Sequence, residues 1–287
     1  MDSSTQLIFH YTSIDSAIGI LSSHTLRATN LRSLDDNNEL IGGGRALQNI
    51  LSDIYNKSRL NGQFSFNSKY LSYLLCDDNT DSFYSISFCL EDNSPYMWQN
   101  YAQEGCCFIF KSNSLLQGLK SSQIPLAHND FLECNYYSER DLYKYAELYL
   151  QSFNTQRPNV IIRKLTWDDL NASDEEIGRD LPIISIEDEL MSFLRFAFQV
   201  KINTDKNQYQ NERETRIVFH PIANHPREQI NPKTGKKYIE VVMNPDEFYN
   251  SIVGVRVSPV SSNIVANKER LHSCFSSNEF MHHIKLL

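Results

Sequence analysis

Side chains that could do chemistry stand in three widely separated segments of this sequence. In the first, IFHYTS, His10 precedes Tyr11 and Thr12. In the second, PYMWQNYA, Trp98 and Tyr101 have the spacing of side chains that share a helix face. An imidazole binds or releases a proton near neutral pH, and aromatic rings offer flat walls to planar groups. These two segments therefore hold candidates for binding a planar, polar ligand.

The third segment, NERETRIVF, is charged where it enters an apolar run. If it forms a strand, Glu212, Glu214 and Arg216 point to the same side because strand side chains alternate. We interpret them as a carboxylate pair at the rim of a cleft, in which Arg216 keeps one carboxylate ionised through a short salt bridge. The alternative is a solvated edge that leads into a buried strand.

Ordinary structural roles also account for the other two segments when each is taken separately. His10 could be a core histidine that donates to a backbone carbonyl, and Trp98 with Tyr101 could be the packed face of a short helix. Together, an imidazole, a tryptophan–tyrosine pair and two carboxylates are the groups that a nicotinamide ribose needs. We therefore expect all three segments to line one shared cavity.

The surrounding pattern predicts an α+β fold in a single domain, residues 1–287, with a mainly helical insertion at 139–200. Alternating or continuous apolar runs predict strands in QLIFHY, TLRATN, FYSISFCL, GCCFIFK, ETRIVFHP, KYIEVVM and SIVGVRVSP. The segment TSIDSAIGILSS predicts a helix with Thr12 as its N-cap and one apolar stripe. A second helix is predicted to begin at Pro95 after a cap at Ser94.

Composition narrows the classes of partner. The chain has a formal net charge of −8, which disfavours a broad phosphate-binding face. This charge favours a protein or a small molecule as the target over nucleic acid. Its six cysteines lack zinc-type spacing, so we expect free thiols in a reducing cytoplasm. We expect no signal peptide, because the start MDSSTQ lacks a basic segment, and no membrane span, because no apolar run approaches bilayer length. The histidines of HPIANH lack zinc-ligand spacing, which disfavours a metal hydrolase, and the absence of a GxSxG motif disfavours a serine or cysteine hydrolase.

The segments HYTSIDSAIGILSSHTLRATN, ISFCLEDNSPYMWQNYAQEGCCFIF and NERETRIVF occur in this order. In that arrangement the chain resembles the bacterial domain-of-unknown-function family numbered 2971, and it departs from that pattern in having Thr215 where an aromatic residue is usual. That family is in turn distantly similar to the ADP-ribosyltransferases, whose signature is an early histidine, a middle tyrosine and a late glutamate. His10, Tyr101 and Glu214 follow that order. The resemblance implies a split β-sheet core with flanking helices.

The resemblance also implies roles for the candidate residues, with NAD as the substrate. Glu214 would stabilise the positive charge that develops on the ribose when nicotinamide leaves, and Glu212 would orient or deprotonate the acceptor. His10 would hydrogen-bond a ribose hydroxyl or the nicotinamide amide. Tyr101 would stack on the nicotinamide ring, with Trp98 as a wall of the pocket.

Phosphate binding is assigned to the start of the first helix, and by proximity in sequence to the strand after it. Tyr11 and Thr12 precede the helix, where backbone N–H groups favour an anion, and Arg27 would neutralise the pyrophosphate. Arg216 completes the predicted NAD-binding set through its salt bridge.

These expectations favour an NAD-dependent ADP-ribosyltransferase-like enzyme, a bacterial toxin or phage-defence effector that modifies a macromolecular target. Two alternatives stay open: an NAD glycohydrolase, for which water is the acceptor, and a catalytically silent nucleotide-binding sensor or regulatory module. The insertion at 139–200 is the candidate surface for a partner protein, because it is charged, aromatic and outside the resemblance.

Overall fold

The fold is described from a computed structural model, which covers residues 6–34, 49–50, 53, 83–138, 140–144, 146, 161–163, 183–185, 195, 198–202, 209–221, 227–276 and 281–287. The mixed α+β class is as predicted. The contacts divide the chain into two compact units, where the sequence predicts a single domain. One unit contains Met1–Leu34, Ser82–Cys134 and Asp205–Leu287, and the other contains Asp35–Asp81 and Asn135–Thr204.

Fourteen strands occur among the described residues. In chain order they are β1 (Leu7–Ser13), β2 (Thr25–Asn30), β3 (Tyr84–Cys89), β4 (Gly105–Lys111), β5 (Leu132–Glu133), β6 (Asn135–Tyr137), β7 (Ile161–Arg163), β8 (Ile183–Ser185), β9 (Val200–Ile202), β10 (Glu214–Phe219), β11 (Gln229–Ile230), β12 (Lys237–Val242), β13 (Ile252–Val257) and β14 (Lys285–Leu286). Ten of them form one sheet in the first unit, with the order β11-β12-β2-β3-β1-β4-β13-β14, and with β10 and β5 beyond β3.

Among its described residues the first unit contains five α-helices. They are α1 (Ile14–Ser23), α2 (Pro95–Tyr101), α3 (Ser112–Lys120), α4 (Pro245–Ser251) and α5 (Ile264–Ser276). The α1 stripe is confirmed, since Ile14, Ala17 and Leu21 are buried. The N-cap of α1 is Ser13 and not Thr12, because the Ser13 side chain accepts from the Ser16 backbone N–H at 3.2 Å. The start of α2 at Pro95 after Ser94 is confirmed.

The large sheet is split around β3. One edge of β3 pairs along its whole length with β10. The other edge is shared: β2 pairs with it at Thr29↔Ser85 and Asn30↔Tyr84, whereas β1 pairs with it at Phe9↔Cys89. Strands β1 and β2 therefore separate from each other between these two points. The other edge of β1, which faces away from β3, pairs along its full length with β4.

Each side of the sheet has its own apolar core. On the side that we call the helix-rich face, residues such as Ile8, Phe88 and Phe108 pack with buried side chains of α1, α3, α4 and α5. The opposite side, which we call the α2 face, buries Trp98 of α2 against a smaller set: Phe9, Tyr11, Cys89, Ala102, Cys107 and Ile109. Because neighbours along β1 alternate between the two cores, consecutive residues of that strand serve opposite sides of the sheet.

One glycine is required where β1 and β4 meet. A Cβ atom at Gly105 would lie 2.1 Å from the backbone oxygen of Thr12, which is far inside any allowed contact. Gly105 is the register partner of Ser13, the cap of α1. The absence of a side chain at this position therefore lets the chain turn from β1 into α1.

The second unit holds two small parallel pairs, β6 with β9 and β7 with β8. In it, Lys201 is buried and its ammonium lies 5.8 Å from the centre of the Tyr136 ring. The predicted helical insertion, 139–200, is described only in part. Residues 140–144, 146, 195 and 198–199 are helical, whereas Ile161–Arg163, predicted to be helical, and Ile183–Ser185 are strands. For the rest of the insertion the helical character stays a prediction. Among the described residues no helix is both long and apolar enough to cross a bilayer.

Five of the six cysteines lie among the described residues, and all five are free thiols. Cys89, Cys106, Cys107 and Cys134 are buried, whereas Cys274 is partly exposed. Burial raises the pKa of the Cys106 thiol to about 12 and that of Cys89 to about 11. These buried thiols are therefore unreactive packing groups.

Candidate functional site

The register of the sheet separates His10 from Glu214. Phe9, Cys89 and Glu214 lie side by side on β1, β3 and β10, so their side chains share the α2 face. His10 follows Phe9 and points the other way, with its ring centre 5.6 Å from that of Phe88 on the helix-rich face. The expectation of one shared cavity for His10 and Glu214 is therefore wrong, because the two side chains leave opposite sides of the sheet.

Glu214 and Arg216 form a buried ion pair. The Arg216 Nη2 donates to Glu214 Oε2 at 2.8 Å, and the two side chains are only 2% and 7% exposed, respectively. The predicted short salt bridge is confirmed, and the alternative of a solvated edge is not what the structure has. Such a pair, enclosed by protein, holds strand β10 in place and is not open to a dinucleotide.

Glu212 does not share the strand face predicted for it. It ends a 3₁₀ turn, Tyr209–Glu212, and β10 begins two residues later. Between them Arg213 has φ +42°, a left-handed conformation that breaks the alternation. Glu212 instead accepts a hydrogen bond at 2.5 Å from the Tyr101 hydroxyl, which ties the end of α2 to this turn. We call Tyr101, Glu212, Glu214 and Arg216 the acidic cluster.

Trp98 and Tyr11 are core residues of the α2 face. Trp98 is 2% exposed and lies edge-to-face with Tyr11 at 4.8 Å between ring centres. Its indole N–H donates to Asn93 Oδ1 at 2.8 Å, while the Tyr11 hydroxyl accepts from the backbone N–H of Ser94 at 2.9 Å. The predictions that Trp98 is a wall of the ligand pocket and that Tyr11 lies beside a phosphate are therefore wrong. Both residues instead anchor the start of α2.

A cavity occupies the place where β1 and β2 separate. Its volume is about 410 Å³, within the range of small-molecule sites. The helix α1 runs from one separated strand to the other and forms part of the wall. We call it the split cavity, and its lining residues are His10, Thr12, Asp15, Ser16, Gly19, Ile20, Ser23, Thr25, Arg27, Asn231 and Glu240. Three of the predicted ligand-binding residues, His10, Thr12 and Arg27, thus meet in one place.

His10 lines this cavity with a ring whose tautomer can be assigned. Its Nδ1 lies 3.1 Å from the backbone oxygen of Ser87, on the edge of β3 that the split leaves open. A carbonyl oxygen only accepts, so Nδ1 carries the proton. Burial lowers the pKa of His10, and the ring is therefore neutral near pH 7 with an unprotonated Nε2.

Arg27 and Glu240 face each other across β2 and β12. They are direct register partners, and Arg27 Nη2 lies 3.6 Å from Glu240 Oε1. The two side chains are 57% and 37% exposed, so water reaches both. The Arg27 guanidinium also lies over the Tyr238 ring, 4.7 Å from its centre.

A second carboxylate of the cavity is already engaged. Asp15 on α1 accepts from Arg270 of α5 at 2.6 Å, and this hydrogen bond is the main cause that lowers the pKa of Asp15. Sequence reasoning missed Asp15 and Glu240. The only local signal for Glu240 is a charge within the apolar run KYIEVV, and its cavity partner Arg27 is distant along the chain.

No group of three or more metal-ligating side chains lies together in the described part of the chain. No family model, no curated protein and no solved structure matches this chain. The chemistry of the candidate site is that of a neutral imidazole, an arginine and a carboxylate around one polar cavity.

Proposed function

We propose that the protein binds NAD in the split cavity and cleaves its nicotinamide–ribose bond, as an ADP-ribosyltransferase-like enzyme. The observation that carries the proposal is the convergence of His10, Arg27 and Glu240 on one cavity at the split of the sheet. The same chemistry is what the sequence resemblance to the family numbered 2971 implies, with Glu240 here in place of Glu214.

The reaction needs a carboxylate, and Glu240 takes the role that the sequence assigned to Glu214. The C1′–N bond breaks with its electron pair moving to the nicotinamide nitrogen, which leaves neutral. Positive charge then builds on the ribose ring, and a fixed carboxylate beside C1′ stabilises it. An acceptor oxygen or nitrogen forms the new bond to C1′ and releases its proton to the water that reaches the cavity. Of the two cavity carboxylates, Glu240 is the one that Arg270 does not hold.

The other cavity residues would orient the dinucleotide. The unprotonated Nε2 of His10 accepts a hydrogen bond from a ribose hydroxyl or from the nicotinamide amide. Arg27 offers a guanidinium fork to the pyrophosphate. Thr12 contributes a hydroxyl beside the start of α1. Each of these groups is polar and lines the cavity, which a charged substrate requires.

We propose a macromolecular acceptor, in keeping with a toxin or phage-defence effector, and the net charge of −8 favours a protein over nucleic acid. If water were the acceptor, the same cavity would make the protein an NAD glycohydrolase. If the bond were not cleaved at all, the protein would be a nucleotide-binding sensor. The partner surface remains assigned to the 139–200 insertion.

The test is incubation of the purified protein with NAD labelled in the adenosine part, with and without bacterial lysate. Label on a macromolecule supports the transferase, whereas free nicotinamide and ADP-ribose alone indicate the glycohydrolase. Binding of NAD without nicotinamide release indicates the sensor. A protein that neither binds nor cleaves NAD contradicts the proposal.

A matched pair of variants connects the activity to the cavity. Glu240→Gln keeps the size of the side chain and removes its charge, so nicotinamide release should fall by about 10²–10³-fold. Glu228→Gln is the control, because Glu228 is similarly exposed and is paired with Lys237 at 3.0 Å, outside the cavity lining. Equal loss in the two variants would contradict the assignment of Glu240.

A further inference from the structure

We infer that the Arg27–Glu240 ion pair makes the enzyme selective for substrates that carry a pyrophosphate. The inference rests on the proposed function and adds to it a rule about which nicotinamide ribosides are cleaved. In the ligand-free protein the carboxylate that the reaction needs is partly neutralised by Arg27. A phosphate group in the cavity draws Arg27 away, and the carboxylate becomes available to the ribose.

The geometry of the pair allows such an exchange. At 3.6 Å the Arg27 Nη2 and Glu240 Oε1 atoms are at the loose end of ion-pair distances, unlike the 2.8 Å buried pair of Arg216 and Glu214. Both side chains are well exposed, so water screens their attraction. The pair is therefore weak enough for a stronger anion to displace.

A pyrophosphate is a stronger partner for the guanidinium than a single carboxylate. It carries two phosphates and binds the arginine fork through parallel charge-assisted hydrogen bonds. The Tyr238 ring lies beneath the guanidinium at 4.7 Å and can hold it at the cavity while its partner changes. Arg27 thus keeps its contact with the Tyr238 ring while its anionic partner changes from Glu240 to the pyrophosphate.

Substrate selectivity follows from this exchange. NAD carries the pyrophosphate that occupies Arg27, so Glu240 faces the ribose with its full charge. Nicotinamide riboside has the same scissile bond and no phosphate, and therefore leaves the ion pair intact. The riboside should bind in the same cavity and react slowly, because the binding of the remote phosphates is what prepares the carboxylate.

The experiment measures nicotinamide release from NAD and from nicotinamide riboside by the wild-type protein and by Arg27→Ala. The wild type should prefer NAD by about a hundred-fold in kcat/KM. In Arg27→Ala the NAD rate should fall at least tenfold while the riboside rate rises, since Glu240 is no longer paired. Inorganic pyrophosphate added with the riboside should accelerate the wild type and leave Arg27→Ala unchanged.

Lys237→Ala is the matched control. Lys237 lies on the same strand as Glu240, outside the cavity lining, and is similarly exposed. Its ammonium pairs with the carboxylate of Glu228 at 3.0 Å. It should keep the wild-type preference for NAD. Equal kcat/KM for the two substrates in the wild type, or an equal loss on both in Arg27→Ala, would overturn the inference while leaving NAD cleavage in place. A wild type that releases nicotinamide from neither substrate would overturn the proposed function itself.

Discussion

The split cavity and the acidic cluster use the same chemical groups in opposite surroundings. Each combines an arginine with a carboxylate, and both belong to the same ten-stranded sheet. In the cluster the Arg216–Glu214 pair is closed at 2.8 Å and its two side chains are at most 7% exposed. In the cavity the Arg27–Glu240 pair is open at 3.6 Å, and its less exposed side chain is 37% exposed.

The difference teaches that charge in a sequence motif does not by itself mark a reactive site. A buried pair cannot exchange partners without leaving a charge stranded in the interior, so its contribution is to folding. An exposed pair is individually weak and can give way to a ligand. Variants of the two pairs should therefore separate stability from binding, and the predictions below test that separation.

The largest effect on stability should come from Arg216→Met. The change removes the cation that donates to the buried Glu214 carboxylate, which costs about 3–5 kcal/mol of the free energy of unfolding. Urea unfolding monitored by tryptophan fluorescence measures it. An unfolding free energy within about 0.5 kcal/mol of the wild type, as for an ordinary surface change, would show that the cluster is not a structural pair.

A smaller loss is expected for Tyr101→Phe. The change removes the hydroxyl that donates to the buried Glu212 and leaves an acceptor with one fewer partner. We expect a loss of about 1–3 kcal/mol in the free energy of unfolding, with NAD cleavage per folded molecule unchanged. Loss of cleavage at full stability would instead return Tyr101 to the nicotinamide-stacking role predicted from the sequence.

His10 should make stability depend on pH. Burial lowers its pKa in the folded protein below the ordinary value of 6.5, so the unfolded chain takes up a proton first as the pH falls. The stabilisation is complete above pH 6.5 and is lost as the pH falls through the folded-state pKa, by at most about 1.4 kcal/mol per pH unit. Unfolding free energies of the wild type and His10→Gln between pH 5 and 8 check this. Curves that stay parallel would contradict a neutral, buried ring.

The smallest effect on stability should belong to Arg27→Ala. The side chain is 57% exposed and its ion pair is open, so the free energy of unfolding should change by less than about 0.5 kcal/mol. Affinity for NAD, measured by calorimetry, should fall in the same variant. A loss in the free energy of unfolding as large as that of Arg216→Met would contradict the view that the Arg27–Glu240 pair is exchangeable and the Arg216–Glu214 pair structural.

Local parts of the fold were predictable because their signals are local. The α1 stripe follows from the 3.6-residue period, and the start of α2 follows from Ser94 before Pro95. The strand containing Glu214 was also recognised from its apolar run. The left-handed Arg213 was not, because only the folded chain shows that the alternation stops before Glu212.

The site was only partly predictable because it depends on strand register. His10, Thr12 and Arg27 lie close in sequence around α1, so their convergence could be expected. The pairing Phe9↔Cys89↔Glu214, which turns Glu214 away from His10, joins strands that are far apart in the chain. Glu240 could not be predicted as a site residue for the same reason: it pairs with Arg27 on β2, and most of the sequence separates the two strands.

The central claim, that NAD occupies the split cavity and not the acidic cluster, is tested most directly by a crystal structure of Glu240→Gln with NAD. The variant should retain the uncleaved dinucleotide. We predict the nicotinamide ribose between His10 and residue 240, with the pyrophosphate on Arg27. Density for the nicotinamide on the α2 face, beside Tyr101 and Glu214, would contradict the account.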